Sequence, residues 1–144
     1  MPRFLDTNIL LRYFTGNPPE QAAGAKWLLQ RVERGEEKVA TSVMVLFETV
    51  FTLQKTYRVP KADIRAMVTD VVSLSGVQLP GKRLYLRALA LYAEQPFLSF
   101  ADAYNVIAMQ EQGIPEIYSF DTDFDKVDGI TRVEPREDMG DSSP

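Results

Sequence analysis

Arg3-Phe4-Leu5-Asp6-Thr7-Asn8-Ile9-Leu10-Leu11-Arg12-Tyr13-Phe14 is the stretch from which the fold can be read. Arg3-Phe4-Leu5 has the pattern of a short strand that stops at Asp6, and from Thr7 onward Ile9, Leu10, Tyr13 and Phe14 recur at helical spacing. A strand therefore runs directly into a helix, with an acid at the turn.

The same unit recurs along the chain. Gly16-Asn17-Pro18-Pro19 breaks the first helix, and a second over 20–34 places Ala22, Ala25, Leu28, Leu29 and Val32 on one face before Gly35. A strand over 38–41 precedes Ser42, which can cap a long helix reaching Tyr57. Pro60 opens a helix to Leu74, a third strand covers 77–79, and a helix covers 82–94. Ser99 begins a helix that Gly113 and Pro115 end; a β-rich strand over 116–120 stops at Asp121, and 130–133 reads as a last edge strand. Strands alternating with helices predict an α/β fold, a three-layer α/β/α domain with a mainly parallel sheet of four or five strands. Ligands in such sheets bind beyond the carboxyl ends of the strands. With 144 residues and no repeat or linker, one domain over 1–135 and a flexible tail over 136–144 are expected.

Composition narrows the chemistry. Cysteine and histidine are both absent, which excludes disulfides, thiol catalysis, the Ser/His/Asp triad, zinc held by Cys or His, and ribonucleases that move protons through imidazole. No apolar run approaches the roughly 18 residues of a membrane span and no basic leader opens the chain, so a cytoplasmic protein with no membrane partner is expected. The net charge of −4 does not announce a nucleic-acid partner. Metal bound to the acids would offset it, leaving Arg58, Lys61, Arg65, Lys82, Arg83 and Arg87 as candidate phosphate contacts beside the plainer role of solvated helix faces.

Four acids stand where the pattern would bring them together. Asp6 ends the first strand, with Thr7 and Asn8 crowding the same turn; its plain alternative is a helix N-cap. Glu48 lies in the apolar run Val43-Met44-Val45-Leu46-Phe47-Glu48-Thr49-Val50-Phe51, where a buried carboxylate must be paired, protonated, metal-bound or at the helix edge. Asp102 follows Ser99 by three residues, the spacing of a capping box. Asp121 opens Asp121-Thr122-Asp123-Phe124-Asp125, any acid of which can close an Asx-turn. Two carboxylates ~4 Å apart repel by about 4 kcal/mol at an effective dielectric near 20, so four meeting at one sheet edge require a cation or shared protons. Oxygen donors alone select hard ions, Mg2+ or Mn2+.

Asp6-Thr7-Asn8 after the first strand, Glu48 in a helix that follows a strand, Ser99-Phe100-Ala101-Asp102-Ala103 at a helix start, and Ser119-Phe120-Asp121-Thr122-Asp123-Phe124 after the late strand together resemble a PIN domain. Within that family the chain looks most like the VapC-type ribonuclease toxins of toxin-antitoxin pairs, from Pro2 to about Val133. The resemblance implies that Asp6, Glu48, Asp102 and Asp121 are catalytic and bind metal, that Asp123 is an auxiliary ligand, and that Thr7, Asn8, Ser42 and Ser119 support them. It also implies a metal-dependent endoribonuclease that leaves a 5′-phosphate and a 3′-hydroxyl, a cognate antitoxin, and a homodimer. Leu10, Leu11, Tyr13, Phe14 and Trp27 are candidate docking residues, with core or dimer packing as their alternative.

Rival readings are a PIN-like module that binds RNA or protein without cleaving, a housekeeping nuclease without antitoxin, an aspartate-nucleophile phosphatase, and a flap-type DNA nuclease. The phosphatase wants a second acid two residues after the first, where this chain has Asn8, and the DNA nuclease usually brings helical insertions that this short chain lacks.

Overall fold

The computed structural model describes residues 1–137. Five strands, β1 (Arg3–Phe4), β2 (Val39–Ala40), β3 (Val77–Gln78), β4 (Glu116–Tyr118) and β5 (Thr131–Val133), alternate with six helices. These are α1 (Thr7–Thr15), α2 (Pro19–Glu33), α3 (Val43–Lys55), α4 (Lys61–Val72), α5 (Lys82–Glu94) and α6 (Phe100–Gln112). A 3-10 turn, Thr122–Lys126, links β4 to β5; the sequence reading had only an acidic run there. The alternation gives the three-layer α/β/α build, and its element order is the expected one.

Every strand pairing is parallel. β2 lies between β1 and β3, with Arg3 opposite Val39 and Val39 opposite Val77. β4 pairs with β5, Ile117 opposite Arg132. The ladders fall into two groups, of three strands and of two. Each strand contributes only two or three residues, and among the described residues β1 pairs with β2 alone. Phe4, Tyr118 and Phe120 are correspondingly exposed.

Leu5, Leu46, Val50, Leu53, Ile64, Val68, Tyr85, Leu89, Tyr92 and Val106 form the heart of a single buried cluster that also takes in Phe124 and Val127. Each such side chain contributes about 1.5–3 kcal/mol through burial. Phe47 joins α3 to α5 and α6, its ring 4.8 Å from Phe100, 5.5 Å from Tyr104 and 6.4 Å from Tyr85. Gly76 is fixed by close approach: a Cβ there would stand 2.9 Å from Val32 Cγ1 and 3.0 Å from the Glu37 carbonyl oxygen. Of the expected tail, residues 138–144 lie outside the described residues, and Arg136 and Glu137 are exposed.

Candidate acidic site

Asp6 occupies the N-cap position of α1, yet its side chain makes no cap hydrogen bond. The plain alternative for this acid is therefore not used, and the carboxylate stays exposed at the end of β1. The buried Thr41 hydroxyl donates to the Leu5 carbonyl at 3.1 Å, fixing the strand end from which Asp6 projects. Thr7 is buried and donates its hydroxyl to Glu48 Oε2 at 3.2 Å. Asn8 is exposed beside them.

Glu48 is exposed, at the helix edge among the alternatives the sequence left open. The reason lies in the face of α3 that its neighbours uncover. Met44 and Phe51, four residues before and three after Glu48, are 74% and 62% exposed, while Val45, Leu46, Thr49, Val50 and Leu53 turn inward. An apolar run does not reveal which of its residues lack a cover. Ser42 caps α3 by accepting from the Val45 N–H at 3.3 Å.

Asp102 stands at the start of α6, where the Ser99 hydroxyl accepts its backbone N–H at 3.1 Å, as the capping pattern predicted. Its carboxyl is held above the usual aspartate range chiefly by burial. A hydrogen bond with Ser99 pulls the other way, and the negative charges of Asp121 and Asp123 add to the rise. Asp121 receives the Asp123 N–H at 2.9 Å and sends its own N–H to the Ser119 hydroxyl at 3.0 Å. The Asx-turn reading thus holds for Asp121 at the same time as its charge acts on Asp102.

Two sets of direct interactions link the site residues. Thr7 joins the first strand end to Glu48, with Asp6 alongside, while Asp102 senses Asp121 and Asp123. Among the described residues, no three Asp or Glu side chains are gathered closely enough to hold one metal ion by themselves.

The predicted cations divide between inward-turned lysines and arginines paired on the surface. Lys61 donates to the carbonyls of Tyr92, Gln95, Pro96 and Leu98, and Lys82 to that of Leu74. Arg83 and Arg87 bind Glu111, and Arg65 lies 4.0 Å from Glu94. Arg58 is exposed. Of the candidate docking residues, Leu10 is core, Leu11 and Phe14 pack against the core, and Tyr13 and Trp27 are exposed.

Arg132 was missed from sequence. It grips Asp125 through two hydrogen bonds of 3.0 and 3.2 Å, Glu134 at 2.8 Å and the Ser119 carbonyl at 3.2 Å. Those contacts, with Asp125 first, raise its pKa further and tie β5 to the Asp121 turn. A lone arginine in a strand just after three closely spaced acids was the available signal.

Comparison with known proteins places these observations in a family. A VapC ribonuclease from Aquifex aeolicus (strain VF5) is 25% identical over 136 residues, covering 94% of this chain and 98% of that one. The crystal structure of Mycobacterium tuberculosis VapC20, described as a sarcin-ricin loop cleaving toxin, is 26% identical across 92% of this chain and 98% of that one. Its TM-score of 0.35 is below what a shared backbone arrangement requires. The family model for the PIN domain matches residues 3–130, nearly the whole alternating unit and all four predicted acids, and the chain belongs to the PIN-domain family.

Proposed function

We propose that this protein is a Mg2+- or Mn2+-dependent endoribonuclease hydrolysing RNA phosphodiester bonds, and that it is the toxin of a toxin-antitoxin pair. The observation that carries this reading is Asp102 set against the charges of Asp121 and Asp123 at the start of α6. A carboxylate whose charged form is disfavoured first by burial and then by neighbouring negative charge makes a place that attracts a cation. The name of the Aquifex relative, VapC ribonuclease, supports the reaction class.

In this reading the nuclease unit is residues 1–135, Asp6, Glu48, Asp102 and Asp121 are the catalytic acids, and Asp123 is auxiliary. The donor set fits a hard divalent ion: every candidate ligand is an oxygen, and the chain has no histidine or cysteine. Asp6 and Asp102 are the first choices to hold it, with water and substrate phosphate oxygens completing the shell. When bound, such an ion supplies a water of lowered pKa and a clamp on a nonbridging phosphate oxygen.

The chain's own residues set the geometry. Thr7 fixes one oxygen of the exposed Glu48, whose other oxygen is the one to position water. Ser99 and Ser119 hold the backbone at Asp102 and Asp121, and Ser42 holds the start of the Glu48 helix. Water oxygen bonds to phosphorus in line as the bond to the 3′ oxygen breaks, leaving a 5′-phosphate and a 3′-hydroxyl. The 2′-hydroxyl has no part in this step.

A cytoplasmic location, a cognate antitoxin and a homodimer complete the proposal. No described helix is long and apolar enough to cross a membrane. Tyr13 and Trp27 on the early helices, and Met44 and Phe51 beside Glu48, are among the exposed apolar side chains available to a protein partner.

The test is incubation of structured RNAs and DNA with the protein in Mg2+, Mn2+ or EDTA, beside Asp6→Asn. Cleavage of RNA alone, lost in EDTA and in the variant, is expected. Cleavage that survives either would overturn the mechanism, and RNA binding without cleavage would favour the silent module. A small protein that co-purifies with the chain separates a toxin from a housekeeping nuclease.

A further inference from the structure

Lys61, the first residue of α4, gathers four backbone carbonyls with one ammonium group. Its Nζ lies 3.2 Å from the Tyr92 oxygen, 2.9 Å from Gln95, 3.3 Å from Pro96 and 2.5 Å from Leu98. It also stands 4.4 Å from the centre of the Tyr92 ring. An ammonium has three protons, so at least one is shared among these acceptors. The acceptors are the carboxyl end of α5 and the connection to α6, where outward-pointing carbonyls favour a cation.

That connection leads directly to the acids. Leu98 is followed by Ser99, whose hydroxyl takes the Asp102 N–H. Phe97, inside the gripped segment, carries Lys126 over its ring at 5.1 Å, and Lys126 bonds Asp123 at 3.4 Å. The short segment held by Lys61 therefore touches both Asp102 and Asp123 through one intermediate each. Burial lowers the lysine's pKa, in keeping with a side chain turned inward.

Resting on the nuclease reading above, we propose that Lys61 is a positioning residue of the acidic site, which sets the path from α5 into α6 and so aims Asp102 and steadies Asp123. It is not a phosphate contact. A side chain without a donor would leave the carbonyls unmatched and let the start of α6 shift, and displacements of about 1 Å cost on the order of a hundredfold in rate.

The chain has no cysteine, so Lys61→Cys creates a single thiol that can be alkylated in the unfolded chain before refolding. Reaction with 2-bromoethylamine rebuilds a lysine-like ammonium, and ethylation gives a neutral arm. Lys61→Met and the ethylated form should lose at least about tenfold in kcat on RNA with KM within about twofold. Amides 98–102 should exchange faster in both, and the aminoethyl form should recover both properties. Lys61→Gln, a milder change that keeps a donor, should fall between if Lys61→Met does not fold. Val32→Ala, in the core of α2, serves as a variant of lowered melting temperature with kcat unchanged.

If the wild type does not cleave, or Asp102→Asn cleaves as well as wild type, the nuclease reading and this proposal fall together. If those two behave as expected while Lys61→Met keeps the kcat of Val32→Ala, or amides 98–102 exchange as in wild type, the Lys61 proposal alone is overturned. Equal recovery by the ethyl and aminoethyl arms would also overturn it.

Discussion

Tyr85→Phe should make this protein more stable. Tyr85 is 0% exposed and lies edge-on to Phe100, with ring centres 5.0 Å apart, and to Phe47, at 6.4 Å. Its hydroxyl finds no hydrogen-bond partner among the described residues, and burial pushes its pKa far above that of a free phenol. An unmatched buried hydroxyl costs about 1–3 kcal/mol, whereas the gap left by removing it costs up to about 1 kcal/mol. The net gain is about 1 kcal/mol, or about 2–4 °C in melting temperature for a chain of this size. Tyr92 provides the matched control in the same aromatic cluster, 5.6 Å from Phe100. Burial pushes its hydroxyl up to about 12, but that hydroxyl donates to Gln54 at 2.8 Å. Tyr92→Phe should therefore lose about 1 kcal/mol. Removing the same atom type from two neighbouring rings should shift urea midpoints in opposite directions at constant m, about 2 kcal/mol apart. If Tyr85→Phe is destabilised as much as Tyr92→Phe, the Tyr85 hydroxyl has a partner and the reasoning is wrong.

Asp102→Asn should cut RNA cleavage at least about 100-fold in the presence of Mg2+ or Mn2+, measured by single-turnover kinetics. The same variant carries a pH signature in EDTA. Because burial and its acidic neighbours raise the Asp102 pKa above 3.8, the folded chain binds that proton more readily than the unfolded one. Wild-type stability must then fall relative to Asp102→Asn as pH rises through the folded pKa, a trend that urea midpoints from about pH 4 to about pH 7 would register. Thr7→Ala frees Glu48 and should lower kcat by about tenfold, while Thr7→Ser keeps it near wild type. Ser99→Ala removes the α6 cap and should cost about 1 kcal/mol in chemical denaturation.

Features set by near neighbours in the chain could be read from sequence. Ser42 and Ser99 cap their helices because a hydroxyl three residues before an N–H can reach it whatever the rest of the fold does. The late strand and the first one followed in the same way from apolar runs stopping near acids, though β4 ends at Tyr118, two residues short of the expected Phe120. Features set by packing between distant elements could not be read. The sequence left Glu48 between the helix edge and a paired, protonated or metal-bound interior because its neighbours are apolar, and nothing local says that Met44 and Phe51 are left uncovered. Lys61 and Lys82 looked like free cations because their carbonyl acceptors are chosen by how α4, α5 and α6 meet. The division of the strands into two ladders depends on side-by-side placement, which alternation does not encode.

The contacts of Arg132 bear on where this protein can be cut. The region matched by the family model ends at residue 130, and a fragment designed to that limit would look complete. It would lack the arginine that holds Asp125 and the Ser119 carbonyl, and β5 itself. Asp125 would then lose its cation and add an unpaired negative charge to the turn that carries Asp121 and Asp123. A fragment meant to keep this turn as the full chain holds it has to reach at least Glu134, which Arg132 also engages, a few residues past the end of the similarity.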